Sequence, residues 1–144
     1  MKSKLFAIAT CALLLMIAGC EKPDPYVNPG STEDPHWKVT TDTSSSALMA
    51  NMTAIVKVSF AKTSGTLAAF IGNDCCGIGD VVADSLYYLF ITPATEAGGD
   101  VQLQFYSPEL KRIFEATETF PFRNDDHLGT VAQPYIPQWR EKTE

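Results

Sequence analysis

Met52, Ala54, Val56, Val58 and Phe60 fall on one side of an extended chain, and Thr53, Ile55, Lys57 and Ser59 fall on the other. A period of two belongs to a strand with one face in a core. The Ser64-Gly65 pair closes this run, residues 67–71 form the next apolar stretch, and Asn73-Asp74 turns the chain so that residues 75–82 lead back. Residues 85–92 are nearly all apolar or aromatic, as in a central strand, and Pro93 with Gly98-Gly99 ends them. Val101, Leu103 and Phe105 alternate with Gln102, Gln104 and Tyr106. After Pro108, Phe114, Ala116, Glu118 and Phe120 alternate with Ile113, Glu115, Thr117 and Thr119 until Pro121 interrupts. Apolar residues nowhere recur at helical spacing between caps. Short strands joined by Gly and Pro turns predict an all-β domain, an antiparallel Ig-like sandwich of about seven strands.

The first 20 residues have a different pattern: Lys2 and Lys4 precede an apolar run over residues 5–18, interrupted by Thr10 and Cys11. That is the layout of a secretory leader, and the run is shorter than the ~20 apolar residues a membrane-spanning helix needs. Its end, Ile17-Ala18-Gly19-Cys20, resembles the bacterial lipobox. In a lipobox the thiol of the final Cys is acylated and the leader is cut just before it. Residues 1–19 are then signal peptide and Cys20 is the lipidated first residue of the mature chain. Several acyl chains anchor firmly, since each buried methylene contributes about 0.8 kcal/mol. Glu21 stands where Asp would signal inner-membrane retention, and Cys20-Glu21-Lys22-Pro23-Asp24 resembles the export signal of surface lipoproteins in Bacteroidota. Both features imply the outer membrane and its exposed face.

Residues 21–35 carry four of the nine prolines together with Gly30 and several acids, a composition that favours extended polyproline II. At about 3.1 Å per residue such a stalk reaches roughly 45 Å. Residues 20–36 are therefore assigned to the lipidated Cys and an extended linker, and residues 37–144 to one β-sandwich domain. Trp37-Lys38-Val39 is either a short first strand or the end of the linker, because residues 40–46 are polar again.

Hydrophobic residues make up 45% of the chain and charged residues 19%, enough apolar material for a core. The net charge is -6, from 11 basic and 17 acidic residues. Without Lys2 and Lys4 it becomes 9 against 17, or -8, which argues against nucleic acid as a partner.

Ala68-Ala69-Phe70-Ile71-Gly72-Asn73-Asp74-Cys75-Cys76-Gly77-Ile78-Gly79 resembles the hairpin of a family of small surface-lipoprotein β-sandwich modules of Bacteroidota, with an Ala-Phe-x-Gly-x-x-Cys-x-Gly pattern. Trp37, Met52-Thr53-Ala54, Phe105-Tyr106, Leu128-Gly129-Thr130 and Pro134-Tyr135 extend the likeness over residues 37–136. The family's Arg after the Cys is Cys76 here, so no anion contact transfers. The resemblance implies a sandwich at the cell envelope without established catalysis.

Candidate chemistry is sparse. Cys75 and Cys76 are adjacent in an oxidising compartment. Either they form a strained vicinal disulfide, or they are thiols on opposite faces of a strand, Cys75 buried and Cys76 open to exchange. No Cys-x-x-Cys provides a zinc or thioredoxin-like site. Asp125-Asp126-His127 is the one carboxylate and imidazole cluster, and a metal or general-base role would need a third converging group. Asn73, Asp74, Asp80 and Asp84 offer hard oxygens, but not at a calcium-loop spacing. Tyr106, Tyr135 and Trp139 are candidate stacking surfaces for a sugar or peptide, against the alternative that they belong to the core.

These readings predict a protein that is not an enzyme and uses no cofactor or metal. The expected function is a non-catalytic binding or accessory module at the outer membrane, associated with a TonB-dependent nutrient-uptake complex and binding a glycan or peptide. The alternative is a structural or adhesive surface module.

Overall fold

The computed structural model describes residues 32–40, 50–60, 65–95 and 98–143. The leader, Cys20 and most of the linker lie outside the described residues. Among the described residues nine strands form: β1 (Met52–Lys57), β2 (Thr66–Ile71), β3 (Asp74–Ala83), β4 (Leu86–Ile91), β5 (Asp100–Ser107), β6 (Arg112–Ala116), β7 (Phe120–Pro121), β8 (His127–Leu128) and β9 (Trp139–Glu141). Among the described residues there is no helix, and so none that is long and apolar enough to cross a membrane. The chain is all-β, as its period-two runs predict.

The strands form one curled sheet in the order β8-β1-β4-β3-β2-β5-β6-β9, with β7 on β5. Curling depends on β3, which pairs with β2 up to Ile78 and with β4 from Gly79 onward, so the two halves turn toward each other. Pairing is mixed. β8 runs parallel to β1, and an isolated parallel bridge joins Val56 to Tyr135, where the sequence pattern predicts antiparallel neighbours only. Pairs as short as these carry no periodicity, which is why β7, β8 and β9 are not legible in the sequence.

Register places apolar residues opposite one another on the inner side: Ala54 faces Leu89, Val56 faces Tyr87, Leu67 faces Phe105 and Ala69 faces Leu103. These cross-strand pairs, with Met52, Val58, Ile91 and Val101, form the buried core. Phe60, expected on the same inner face, lies at its margin with its ring 4.5 Å from that of Phe114 and 5.7 Å from that of Phe105. The β2–β3 turn is Gly72-Asn73, one residue earlier than the sequence suggests, because Ile71 pairs with Asp74 and Gly72 takes the left-handed φ of 62°.

The described residues ahead of β1 touch the sheet. Thr32 N donates to Lys111 O at 2.7 Å in the β5–β6 turn, and Thr40 N donates to Cys75 O at 2.7 Å. Between them the Trp37 ring packs edge-to-face with that of Phe70, their centroids 5.6 Å apart. Thr66 pairs with Tyr106 at one end of β2 and Ile71 with Val101 at the other, so this strap spans the length of the β2–β5 half.

Candidate functional site

The adjacent cysteines lie where the β2–β3 ladder slips. Phe70 pairs with Cys75 and Ala69 with Gly77, which leaves Cys76 as the extra residue of a β-bulge. A regular strand would turn one side chain to each face, but the bulge breaks that alternation. Cys75 is 5% exposed and Cys76 only 1%, so Cys76 is not the open thiol that strand alternation predicts. Both are free thiols. Cys76 Sγ donates to Asp74 O at 3.3 Å and Cys75 Sγ to Gly77 O at 3.8 Å. Burial pushes both thiols above their ordinary value, against the weaker opposing effect of backbone hydrogen bonds. A thiol held protonated and covered is a poor nucleophile. The expected result is that Cys75 and Cys76 take up no iodoacetamide at pH 8 in the native protein and react fully in denaturant, read by peptide mass mapping. Rapid native labelling of Cys76 would contradict this geometry.

The three candidate aromatic contacts pack against different neighbours. Tyr106 is buried on β5 between Thr66 of β2 and Ile113 of β6. Trp139 opens β9 opposite Ala116, with its ring 6.0 Å from Phe60 and 6.2 Å from Phe105. Its buried Nε1 has no hydrogen-bond partner among the described residues. The Tyr135 ring meets Phe120 at 5.7 Å, while the Tyr135 backbone clamps β1: its N donates to Ile55 O and its O accepts from Lys57 N, both at 2.8 Å. Among the described residues no ring contact joins these three aromatics to one another, so they form no shared platform.

The phenol of Tyr135 is pushed up to about 12, first by burial, then by the neighbouring Glu118 carboxylate, which repels the phenolate and accepts the hydroxyl hydrogen bond. A folded-state value above the ordinary 10.0 means that the native state holds this proton more tightly than the unfolded chain does. The stability it contributes is complete below pH 10 and is lost as pH rises toward 12. Tyr135→Phe should therefore show a flatter fall of melting temperature between those limits than the natural protein.

Asp125-Asp126-His127 is a clasp rather than a converging site. Asp125 N donates to Asn51 O at 2.7 Å and Thr53 N to Asp126 O at 3.1 Å, which ties the loop to the start of β1. Asp126 Oδ1 accepts from His127 N at 2.8 Å. The His127 ring turns instead to Thr53 Oγ1, 3.0 Å from Nδ1. Asp125 adopts a left-handed φ of 59°, consistent with a tight turn. Among the described residues no three His, Cys, Asp or Glu side chains converge as a metal site would require, and this includes Asp74, Asp80 and Asp84.

Three large apolar residues on β3 and β4 are exposed, with no sign of it in the sequence pattern. Val81 is 57% exposed, Val82 48% and Phe90 50%. The apolar run over residues 85–92 suggested a central strand covered on both faces, yet Phe90 is exposed. Comparison with known proteins finds no matching family model, no matching curated protein and no matching solved structure.

Proposed function

We infer that this chain is a lipid-anchored outer-membrane protein, exposed at the cell surface, whose β domain acts as a non-catalytic binding or accessory module of a TonB-dependent nutrient-uptake complex. The observation that carries the reading is Ile17-Ala18-Gly19-Cys20 at the end of a charged and apolar leader. Only 11 residues, 21–31, separate Cys20 from Thr32. At about 3.1 Å per residue they reach roughly 35 Å, so the anchor holds the domain close to the bilayer. A domain that binds a membrane complex gains effective concentration from such a tether. The polar cluster best suited to catalysis, at residues 125–127, is occupied in fastening β8 to β1, which favours binding over chemistry.

Cys20→Ala should abolish labelling by radioactive palmitate and release the protein from the membrane fraction or leave it unprocessed. Normal membrane retention and normal gel mobility of this variant would overturn the anchor. Affinity capture from detergent-solubilised outer membrane should recover a transporter barrel. Recovery of fimbrial or adhesin subunits in its place would favour the structural or adhesive alternative.

A further inference from the structure

The sheet has an open edge in its middle. β2 accompanies β3 only as far as Ile78, and beyond that point β3 is paired on one side alone, to β4. Thr92 N donates to Cys76 O at 2.9 Å, and this sets the alternation of the β3–β4 ladder: Asp80 exchanges hydrogen bonds with Tyr88, whereas the N–H and C=O of Val81 point away from β4. Among the described residues none takes them up. The slip between Val81 and Ala83 leaves Val82 as a bulge. Asp80, Val81, Val82 and Ala83 are all exposed, the two valines at 57% and 48%.

The two terminal edges of the sheet are blunted. β8 is two residues long, and β9 is three residues long and carries Arg140 and Glu141. Edges as short as these resist pairing with another chain. Among the described residues the Val81 edge instead leaves a backbone donor and acceptor unpaired beside bare apolar side chains, with exposed Asp80 before it and exposed Asp84 after it.

We propose that the open edge of β3 at Val81 accepts an extended strand of a partner protein, with Lys or Arg flanking a short apolar centre. Backbone hydrogen bonds to Val81 provide the pairing, apolar side chains cover Val81 and Val82, and the cations meet Asp80 and Asp84. Charge excludes a second copy of this chain as the occupant. In an antiparallel self-pair centred on Val81, the two Asp80 carboxylates become diagonal neighbours on one face, about 7 Å apart, which is unfavourable for like charges. The bulge at Val82 limits the contact to a few residues, as suits a reversible partner.

The test uses the full chain in detergent and a fluorescent six-residue peptide that alternates Thr and Val between terminal lysines. The expected result is saturable binding by anisotropy, protection of the Val81 amide from hydrogen exchange on peptide addition, and about tenfold weaker binding when glutamates replace the lysines. Val81→Pro removes a donor that no strand of the sheet uses, so the variant should fold and lose peptide binding. The Asp80→Asn, Asp84→Asn double variant should weaken binding of the lysine peptide and erase the difference between the two peptides. Equal binding of both peptides by the natural protein, or undiminished binding by folded Val81→Pro, would overturn the proposal. So would a Val81 amide already protected before peptide is added, since a second copy or the chain's own residues would then occupy the edge.

Discussion

Val56→Asp is expected to unfold the domain. Val56 is fully buried at the centre of β1, opposite Tyr87 on β4 and bridged to Tyr135, with the core closed around it. Among the described residues no cation lies on this inner face to pair with a carboxylate, as the core cluster consists of apolar and aromatic residues. An unpaired charge in such a place costs about 4 kcal/mol or more, a large share of the roughly 5–15 kcal/mol that holds a domain together. Lys57, next in sequence, is exposed on the opposite side of the same strand. Lys57→Asp should cost no more than about 0.5 kcal/mol. Thermal melts followed by circular dichroism read both: loss of the cooperative transition in the first variant and a nearly unchanged midpoint in the second. A Val56→Asp midpoint close to that of the natural protein would mean that β1 does not have this register.

Gly77→Ala should also be damaging, for a different reason. The residue follows the bulge at Cys76, and a Cβ on it would lie 2.5 Å from the carbonyl oxygen of Phe90 on β4. That atom belongs to the backbone of a central strand and cannot rotate aside, so β3 and β4 must separate. Overpacking of this kind costs about 1–3 kcal/mol. Gly72 provides the contrast: a Cβ there meets nothing within 4 Å, and only its φ of 62° opposes substitution. Gly72→Ala should therefore cost about 1 kcal/mol of left-handed strain. Chemical denaturation of the two variants should rank Gly77→Ala below Gly72→Ala, and the reverse order would contradict the bulge geometry.

The all-β character was legible wherever a strand had one dry face. Met52, Ala54, Val56 and Val58 are all buried, as are Val101, Leu103 and Phe105, in agreement with the period-two runs. The run after Pro108 was legible only in part: the strand stops at Ala116, and Glu118 leaves the ladder before Phe120 rejoins the core. Features that depend on distant parts of the chain were not legible. The bulge at Cys76 follows from a one-residue mismatch between β2 and β3, invisible in either strand alone. The strap was hidden because Thr32 and Thr40 reach Lys111 and Cys75 through backbone groups, which any residue supplies. Linker composition before Trp37 gave no sign of the hydrogen bond from Thr32 to Lys111. Candidate chemistry was legible only as residue types. Asp126 and His127 are adjacent in sequence, yet the His127 ring is directed to Thr53, so adjacency said nothing about convergence.

The reading as an anchored envelope module stands or falls on the amino terminus of the mature protein. Mass spectrometry of the amino-terminal proteolytic fragment, taken from protein purified out of native bacterial membranes, tests it directly. The expected fragment begins at Cys20 and carries acyl chains on that residue. A fragment in which Gly19 is still joined to an unmodified Cys20, or one that begins elsewhere without lipid, would contradict it.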